Sequence, residues 1–344
     1  MQTQTSSPKI TLKQIFKNSQ GPQSYKEGAL IFLKGMSMGI ADLIPGVSGG
    51  TIAFISGIYL PLMDAISIFD KKFLFEVLSP KTCLQALSKV HWRFLVCLGT
   101  GIVSSLFIFA RVVSFLLQTF PVYTWSFFGG LIAASLFFLG KSLPEKTFAK
   151  VSTWPILILG TLLSYWIVGL VPLETSSHPL FLFFCGIIAT MAMILPGISG
   201  SFLLMMLGKY HLILGALLNP FTVENFSSLT IFATGAILGL VTMAKALRWA
   251  LTHFYSLTLL FLMGFLLGSF RKLWPWKEIL ESELIRGKLR VLREANIVPS
   301  FSEKFPEISL ALVFFVFGAV LLLCLEFLNV SLQQKKSGGI SSAG

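Results

Sequence analysis

Residues 42–51 read Asp42-Leu43-Ile44-Pro45-Gly46-Val47-Ser48-Gly49-Gly50-Thr51, and residues 195–201 read Leu195-Pro196-Gly197-Ile198-Ser199-Gly200-Ser201. Each stretch interrupts an apolar region, 28–69 in the first case and 179–219 in the second. Proline removes an amide donor and glycine admits positive φ, so a helix entering either stretch is expected to break there. Apolar halves of roughly 15 to 20 residues on either side fit a hairpin that reaches mid-bilayer and returns. Lipid satisfies none of the backbone groups that a break exposes. Both breaks are therefore expected to be buried in protein or to face a wet cavity.

The two stretches lie inside a longer internal repeat. Residues 34–66 align with 185–217 without a gap at an offset of 151. Nine positions are identical: Gly35/Gly186, Ala41/Ala192, Pro45/Pro196, Gly46/Gly197, Ser48/Ser199, Gly49/Gly200, Gly57/Gly208, Tyr59/Tyr210 and Ala65/Ala216. The following span aligns at an offset of 134, pairing Thr100/Thr234, Gly101/Gly235, Leu106/Leu240, Ala110/Ala244, Gly130/Gly264 and Ser135/Ser269. In that register Arg111 falls on Lys245. A basic loop at 70–91, absent from the second copy, absorbs the change of offset.

Six further apolar runs, near 92–119, 122–140, 154–171, 229–250, 254–273 and 308–330, are long enough to cross a core of roughly 30 Å. The expected fold is an all-α polytopic membrane protein made of two inverted-topology repeats. Each repeat is a broken re-entrant helical hairpin plus two transmembrane helices. The first covers 28–153, with its hairpin at 28–69 and helices at 92–119 and 122–140. The second covers 178–273, with its hairpin at 179–219 and helices at 229–250 and 254–273. A connecting transmembrane helix within 154–177 turns the second copy over, and a last transmembrane helix and tail occupy 308–344. Inverted repeats with discontinuous helices at the midplane are the architecture of many secondary transporters.

Composition agrees. Of 344 residues, 54% are hydrophobic and only 12% charged, too few charges to coat a water-soluble globule of this size. The net charge of +12 reads as membrane orientation and contact with anionic headgroups, with no nucleic-acid partner. Residues 1–27 form a polar, basic tail without the apolar segment of a secretory signal, and are expected to be cytoplasmic. Basic loops at 70–91 and 141–150 share that side in this topology, and the loops at 120–121, 172–177 and 220–228 lack Lys and Arg. Residues 271–307 break the pattern, with eight basic and six acidic residues on the expected outer side. Apolar spacing and paired tryptophans in 274–294 predict an amphipathic helix at the membrane surface. The cysteines (Cys83, Cys97, Cys185, Cys324) and histidines (His91, His178, His211, His253) are scattered, so neither a disulfide framework nor a metal or other cofactor is expected. Ser48 lacks the Gly-x-Ser-x-Gly elbow and a nearby base, which argues against an enzyme.

A helix restarting after each break presents amide donors and a positive dipole end to an anion. The candidate phosphate-binding residues are Ser48, Gly49, Gly50 and Thr51 in the first copy and Ser199, Gly200 and Ser201 in the second. Arg111 and Lys245 join them, because a cation inside an apolar segment usually faces a cavity or a partner. Pro45, Gly46, Pro196 and Gly197 are the candidate helix-break and gating positions. Asp42 is a candidate for proton coupling, a structural cap, or a partner for Arg111 or Lys34. Lys34, Lys209 and His211 are weaker candidates, and His178 reads as interfacial.

The segments Gly39–Ile66 and Met193–Leu207, with the Arg111 segment, its echo at Lys245 and the glycines near 127–131, resemble the bacterial polyprenyl-phosphate (undecaprenyl phosphate) transporter family. The resemblance covers roughly 28–272 and carries over to Asp42, 45–51, Arg111, 196–201 and Lys245. It implies an inner-membrane protein that recycles undecaprenyl phosphate or a similar lipid for cell-envelope synthesis, by alternating access around a midplane phosphate site. The expected partners are a polyprenyl phosphate, membrane lipids and a coupling proton or cation. The competing reading is a small-anion channel or secondary transporter using the same helix-end site.

Overall fold

A computed structural model describes residues 15, 19–43, 48–144, 147, 153–170, 175, 178–285, 288–300 and 304–340. The first hairpin comprises α1 (Tyr25–Asp42), α2 (Gly49–Ile55) and α3 (Tyr59–Ser67). Two short helices follow, α4 (Lys71–Leu78) and α5 (Cys83–Lys89), where the sequence has its basic loop. Three apolar helices come next: α6 (Trp92–Thr119), α7 (Pro121–Ser142) and α8 (Trp154–Val168). The second hairpin comprises α9 (Pro179–Ile194), α10 (Gly200–Met206) and α11 (Tyr210–Leu218). After it run α12 (Val223–His253), α13 (Tyr255–Leu273), strands β1 (Lys277–Ile285) and β2 (Lys288–Asn296), and α14 (Phe305–Ile340). Five of these helices, α6, α7, α12, α13 and α14, contain stretches long and apolar enough to cross a membrane, and α10 with α11 forms a pair bent by 115°.

The short helices of the two hairpins agree residue for residue at the offset of 151. Helices α2 and α10 both have seven residues, and α3 and α11 both have nine. Each short helix ends at a left-handed glycine, Gly57 at φ +72° and Gly208 at φ +67°. Across these turns the Ile58 amide donates to Ala53 and the Lys209 amide to Leu204, both at 3.0 Å. The glycine supplies a φ that other residues reach at a cost of about 1–2 kcal/mol, and closes the helix with its last carbonyls satisfied.

Helices pack in four side-by-side pairs, α1 with α6, α9 with α12, α7 with α14 and α8 with α13. Glycines bring each pair into backbone contact. A Cβ at Gly35 would strike the Leu98 carbonyl and one at Gly101 the Phe32 carbonyl. The same collisions recur in the second copy, Gly186 against Phe232 and Gly235 against Phe183. In the other two pairs Gly130 meets Phe315 and Gly318 meets Phe127, while Gly264 meets Leu157 and Gly160 meets Phe261. Small residues at such seams let backbones approach where no hydrophobic force distinguishes a neighbouring helix from lipid. One core cluster lies between α7 and α13, with Trp125, Phe128, Ile132, Leu260, Met263 and Leu266.

Three expectations change. Residues 274–294 are not a surface helix. They supply β1 and part of β2, an antiparallel pair whose register sets Glu281 opposite Arg293 and Glu283 opposite Arg290. The fold is accordingly helical apart from this hairpin among the described residues. Helix α8 has 15 residues, about 22 Å at 1.5 Å per residue, and so falls short of the span expected for the connecting helix. Helix α12, in contrast, reaches 31 residues. It packs its first half on the second hairpin and its second half, through Ala244, Leu247 and Leu251, on the first.

Candidate functional site

The residues flanking the first break bond to one another. Asp42, at the end of α1, accepts the Gly49 amide through Oδ1 at 2.6 Å. The buried Ser48 hydroxyl caps α2 by accepting the Gly50 amide at 3.1 Å. The amide donors expected to greet an anion there are thus already taken, at Gly49 and Gly50, by the chain's own oxygens. Asp42 thus caps the break; among the described residues it makes no ion pair with Arg111 or with Lys34, whose Nζ donates to the Ser56 carbonyl at 2.6 Å. Pro45 and Gly46 lie outside the described residues.

The two breaks meet. The Ser48 hydroxyl donates to the Met193 carbonyl at 2.9 Å, and the Tyr59 hydroxyl donates to the Ile194 carbonyl at 3.1 Å. In return the Gly197 amide donates to Thr51 Oγ1 at 2.8 Å, with Thr51 wholly buried. Gly50 completes the junction, since a Cβ there would come within 2.8 Å of the Met193 and Ile194 carbonyls. Carbonyls freed where α9 ends, and the amide after Pro196, are therefore satisfied by side chains of the other hairpin. That is how irregular backbone survives in an apolar interior.

The second break, buried from Pro196 to Ser199, is capped differently. Gly197 sits at φ +99°, with Ser269 of α13 close behind it. Ser199 makes no cap to α10; its hydroxyl shares a hydrogen bond with Ser201 at 2.7 Å, and Ser201 is exposed. A Cβ at Gly200 would strike the Ala189 carbonyl, so this glycine serves close packing on α9.

The cations do not gather at the breaks. Lys245 pairs with Asp70 at 3.2 Å, and Arg248 pairs with Asp64 at 2.6 Å while donating to Ser67 Oγ at 3.2 Å. Both pairs join the second half of α12 to the far end of the first hairpin. The Phe73 amide, and after it Lys245, hold the Asp70 carboxyl below its ordinary range against some burial. Arg111 is exposed on α6. Lys209 is buried, with Nζ donating to the Thr175 carbonyl at 3.0 Å and lying 5.7 Å from the Phe181 ring. His178 accepts the Leu180 amide at 3.2 Å at the start of α9, and His211 packs edge-on against Tyr210. No three metal-ligating side chains cluster among the described residues.

A second charged group, which sequence reading missed, sits at the end of α13. Glu294 of β2 holds both Lys272 and Lys277, the latter at 3.1 Å. Lys277 Nζ lies 4.3 Å from the Trp125 ring of α7, and Lys272 Nζ lies 5.5 Å from the Phe202 ring, one residue beyond Ser201. Burial, with Lys272 nearby, brings Lys277 down to about 8, against the pull of Glu294. Burial pushes Glu294 up, but the two ammonium groups outweigh it and hold the carboxyl low. Only cross-strand register and a tertiary contact with α7 bring these three side chains together.

A family model for undecaprenyl phosphate translocase-like proteins matches residues 38–288. The chain is 37% identical over 302 residues to a polyprenyl-phosphate transporter of Vibrio cholerae, covering 86% of this chain and 95% of that protein. It is 30% identical over 256 residues to a polyprenyl-phosphate transporter of Staphylococcus aureus, covering 71% and 85%. No solved structure matches it significantly. The paired Pro-Gly-x-Ser-Gly breaks and the extent of these matches agree, and the chain belongs to the undecaprenyl phosphate translocase-like family.

Proposed function

We propose that this protein is a transporter that carries a polyprenyl phosphate across the bacterial inner membrane and returns undecaprenyl phosphate for envelope synthesis. The names of both relatives support the substrate class. The observation that carries the mechanism is the tip-to-tip junction of two equivalent hairpins, buried and polar, within a bundle of apolar helices. In this reading the hairpins enter from opposite faces. Helix α12 runs from the base of the second hairpin to the base of the first, which supports that inversion. The helix contacts recurring at Gly130/Gly264 and Gly160/Gly318 support a repeat extended by one helix, with α8 and α14 as counterparts.

An asymmetry supports alternating access. The first hairpin is latched to α12 by Asp64–Arg248 and Asp70–Lys245, and no comparable packing of α11 against α6 exists among the described residues. In this reading the end that carries the latch is the closed one and the opposite end the looser. With the N-terminus in the cytoplasm, this is an outward-facing arrangement. The phosphate would pass the tips by way of Ser199 and Ser201, with Arg111 at its margin, while the isoprenoid chain stays in lipid. A coupling proton or cation, with Asp42 as its carrier, belongs to the same reading.

Leaflet-resolved transport of undecaprenyl phosphate in proteoliposomes tests it. Wild-type protein should move the lipid, and Arg111→Ala and Lys245→Ala should slow it. Chloride flux without lipid movement by folded protein would replace this reading with a small-anion transporter.

A further inference from the structure

Beside the Lys272–Glu294–Lys277 group lies an aromatic groove of about 350 Å³. It runs between the first turns of α7, the last turn of α13 and the start of α14, with walls that include Trp125, Phe270, Trp274, Trp276 and Phe315. Trp125 is the shared wall: it lines the groove and carries the Lys277 ammonium over its ring at 4.3 Å. Trp274 and Trp276 are pinned by their indole N–H groups, to the Ile297 carbonyl at 2.8 Å and to Glu307 Oε1 at 3.2 Å. The two rings meet edge to face at 5.8 Å, and both line the groove. Leu312 and Trp274 remain open to the surroundings at its rim, 62% and 39% exposed.

We propose that this groove is a capture site for the transported lipid, in which the proximal isoprene units lie on the tryptophan faces and the phosphate is held by Lys272 and Lys277. This rests on the transporter reading above and assigns it a site apart from the hairpin junction. Charge complementarity selects the occupant. Two lysines against one glutamate leave a net positive charge, and Glu294 accepts from both ammonium groups only until a dianionic headgroup competes for them. A cation–π contact costs Lys277 none of its donors, so the side chain stays aimed while its hydrogen bonds are exchanged. The groove excludes the free anion as its main ligand, since its walls offer the phosphate nothing and the tail a volume typical of small-molecule sites. The site also leads onward. Lys272 reaches the Phe202 ring, and Ser201 precedes Phe202 directly and bonds to Ser199 at the cap of α10, so the headgroup has a short course from the groove to the second break.

The test is binding to full-length protein in nanodiscs, using a polyprenyl phosphate with a diazirine on its second isoprene unit. Wild-type protein should crosslink within 125–129 or 308–315, and excess unlabelled polyprenyl phosphate should suppress this. Lys272→Gln with Lys277→Gln should weaken binding by about tenfold or more, because charge-assisted hydrogen bonds to the phosphate are lost. Lys277→Arg, which keeps the charge and the contact with Trp125, should stay near wild type. Leu312→Trp, at an exposed position, should weaken binding by narrowing the rim without disturbing the core. Unchanged affinity in the double variant, crosslinks confined to the hairpin tips, or equal competition by inorganic phosphate would each overturn the proposal. Transport measured on the same samples keeps the two readings separate: intact transport with unchanged binding removes the capture site alone, and absent wild-type transport removes the transporter reading.

Discussion

Thr51 Oγ1 accepts the Gly197 amide at 2.8 Å, tying the helix that follows one chain break to the backbone of the other, 146 residues away. Both groups are buried, so the bond has no water to replace it. Thr51→Val keeps the shape and removes the acceptor, leaving an unsatisfied N–H worth about 1–3 kcal/mol. The expected result is a lower melting temperature in detergent, together with slowed lipid transport. Thr51→Ser should restore both, and a Thr51→Val protein as stable as wild type would remove this bond from the account.

The latch between α12 and the first hairpin is exposed, with Arg248 and Asp64 side chains 51% and 41% accessible. Ion pairs of that kind contribute about 0–1 kcal/mol to stability, so Asp64→Ala and Arg248→Ala should scarcely change melting. They should change access instead. A cysteine at the buried Ser67 is expected to react faster with a membrane-impermeant thiol reagent, added from the N-terminal side, once the latch is cut. Equal labelling rates with and without Asp64–Arg248 would mean that the pair does not hold this end closed.

Lys277 links the capture site to pH with two opposite signs. Its value of about 8 lies below the ordinary 10.5, so the unfolded chain holds the extra proton between those values and stability should rise with pH across that window. Phosphate binding needs the ammonium form, so lipid affinity should fall as pH rises through about 8, above the range near pH 6 in which the phosphate itself becomes dianionic. Lys272 and Glu294 face the same site and set this balance together. Affinity measured from pH 7.5 to 10 should therefore decline for wild type and stay level to a higher pH for Lys277→Arg. Identical profiles would exclude Lys277 from headgroup binding.

Two glycines separate backbone conformation from space. Gly57 has nothing within 4 Å of a would-be Cβ, so Gly57→Ala should cost only the strain of φ +72°, about 1–2 kcal/mol, with the protein still folded. Gly264→Ala drives a methyl into the Leu157 carbonyl at the α8–α13 seam. Expression and thermal unfolding should show a larger loss there. The reverse order would contradict the packing described above.

The amino-acid sequence by itself determined the membrane class, the two breaks and the equivalence of the hairpins. Proline and glycine act through local backbone chemistry, and apolar run length acts through bilayer thickness, so neither needs a neighbour to be legible. Pro196 and Gly197 were readable for that reason, whereas Gly57 and Gly208 were legible only as an identical pair, and the fold made them helix-ending turns. What fills each hydrogen bond was decided only by the tertiary structure. Asp42 was readable as an acid beside a break, and the fold alone made it the acceptor of the Gly49 amide. Lys245 matched Arg111 in the repeat, yet it pairs with Asp70, because α12 extends to a hairpin of the other copy. The Lys272–Glu294–Lys277 group was out of reach of any linear pattern. It needs a strand register that brings β2 beside the end of α13, and a tryptophan from α7 beneath it. Local sequence dictates where a chain can break, but electrostatic partners are chosen by whichever groups the packed helices bring within a few ångströms.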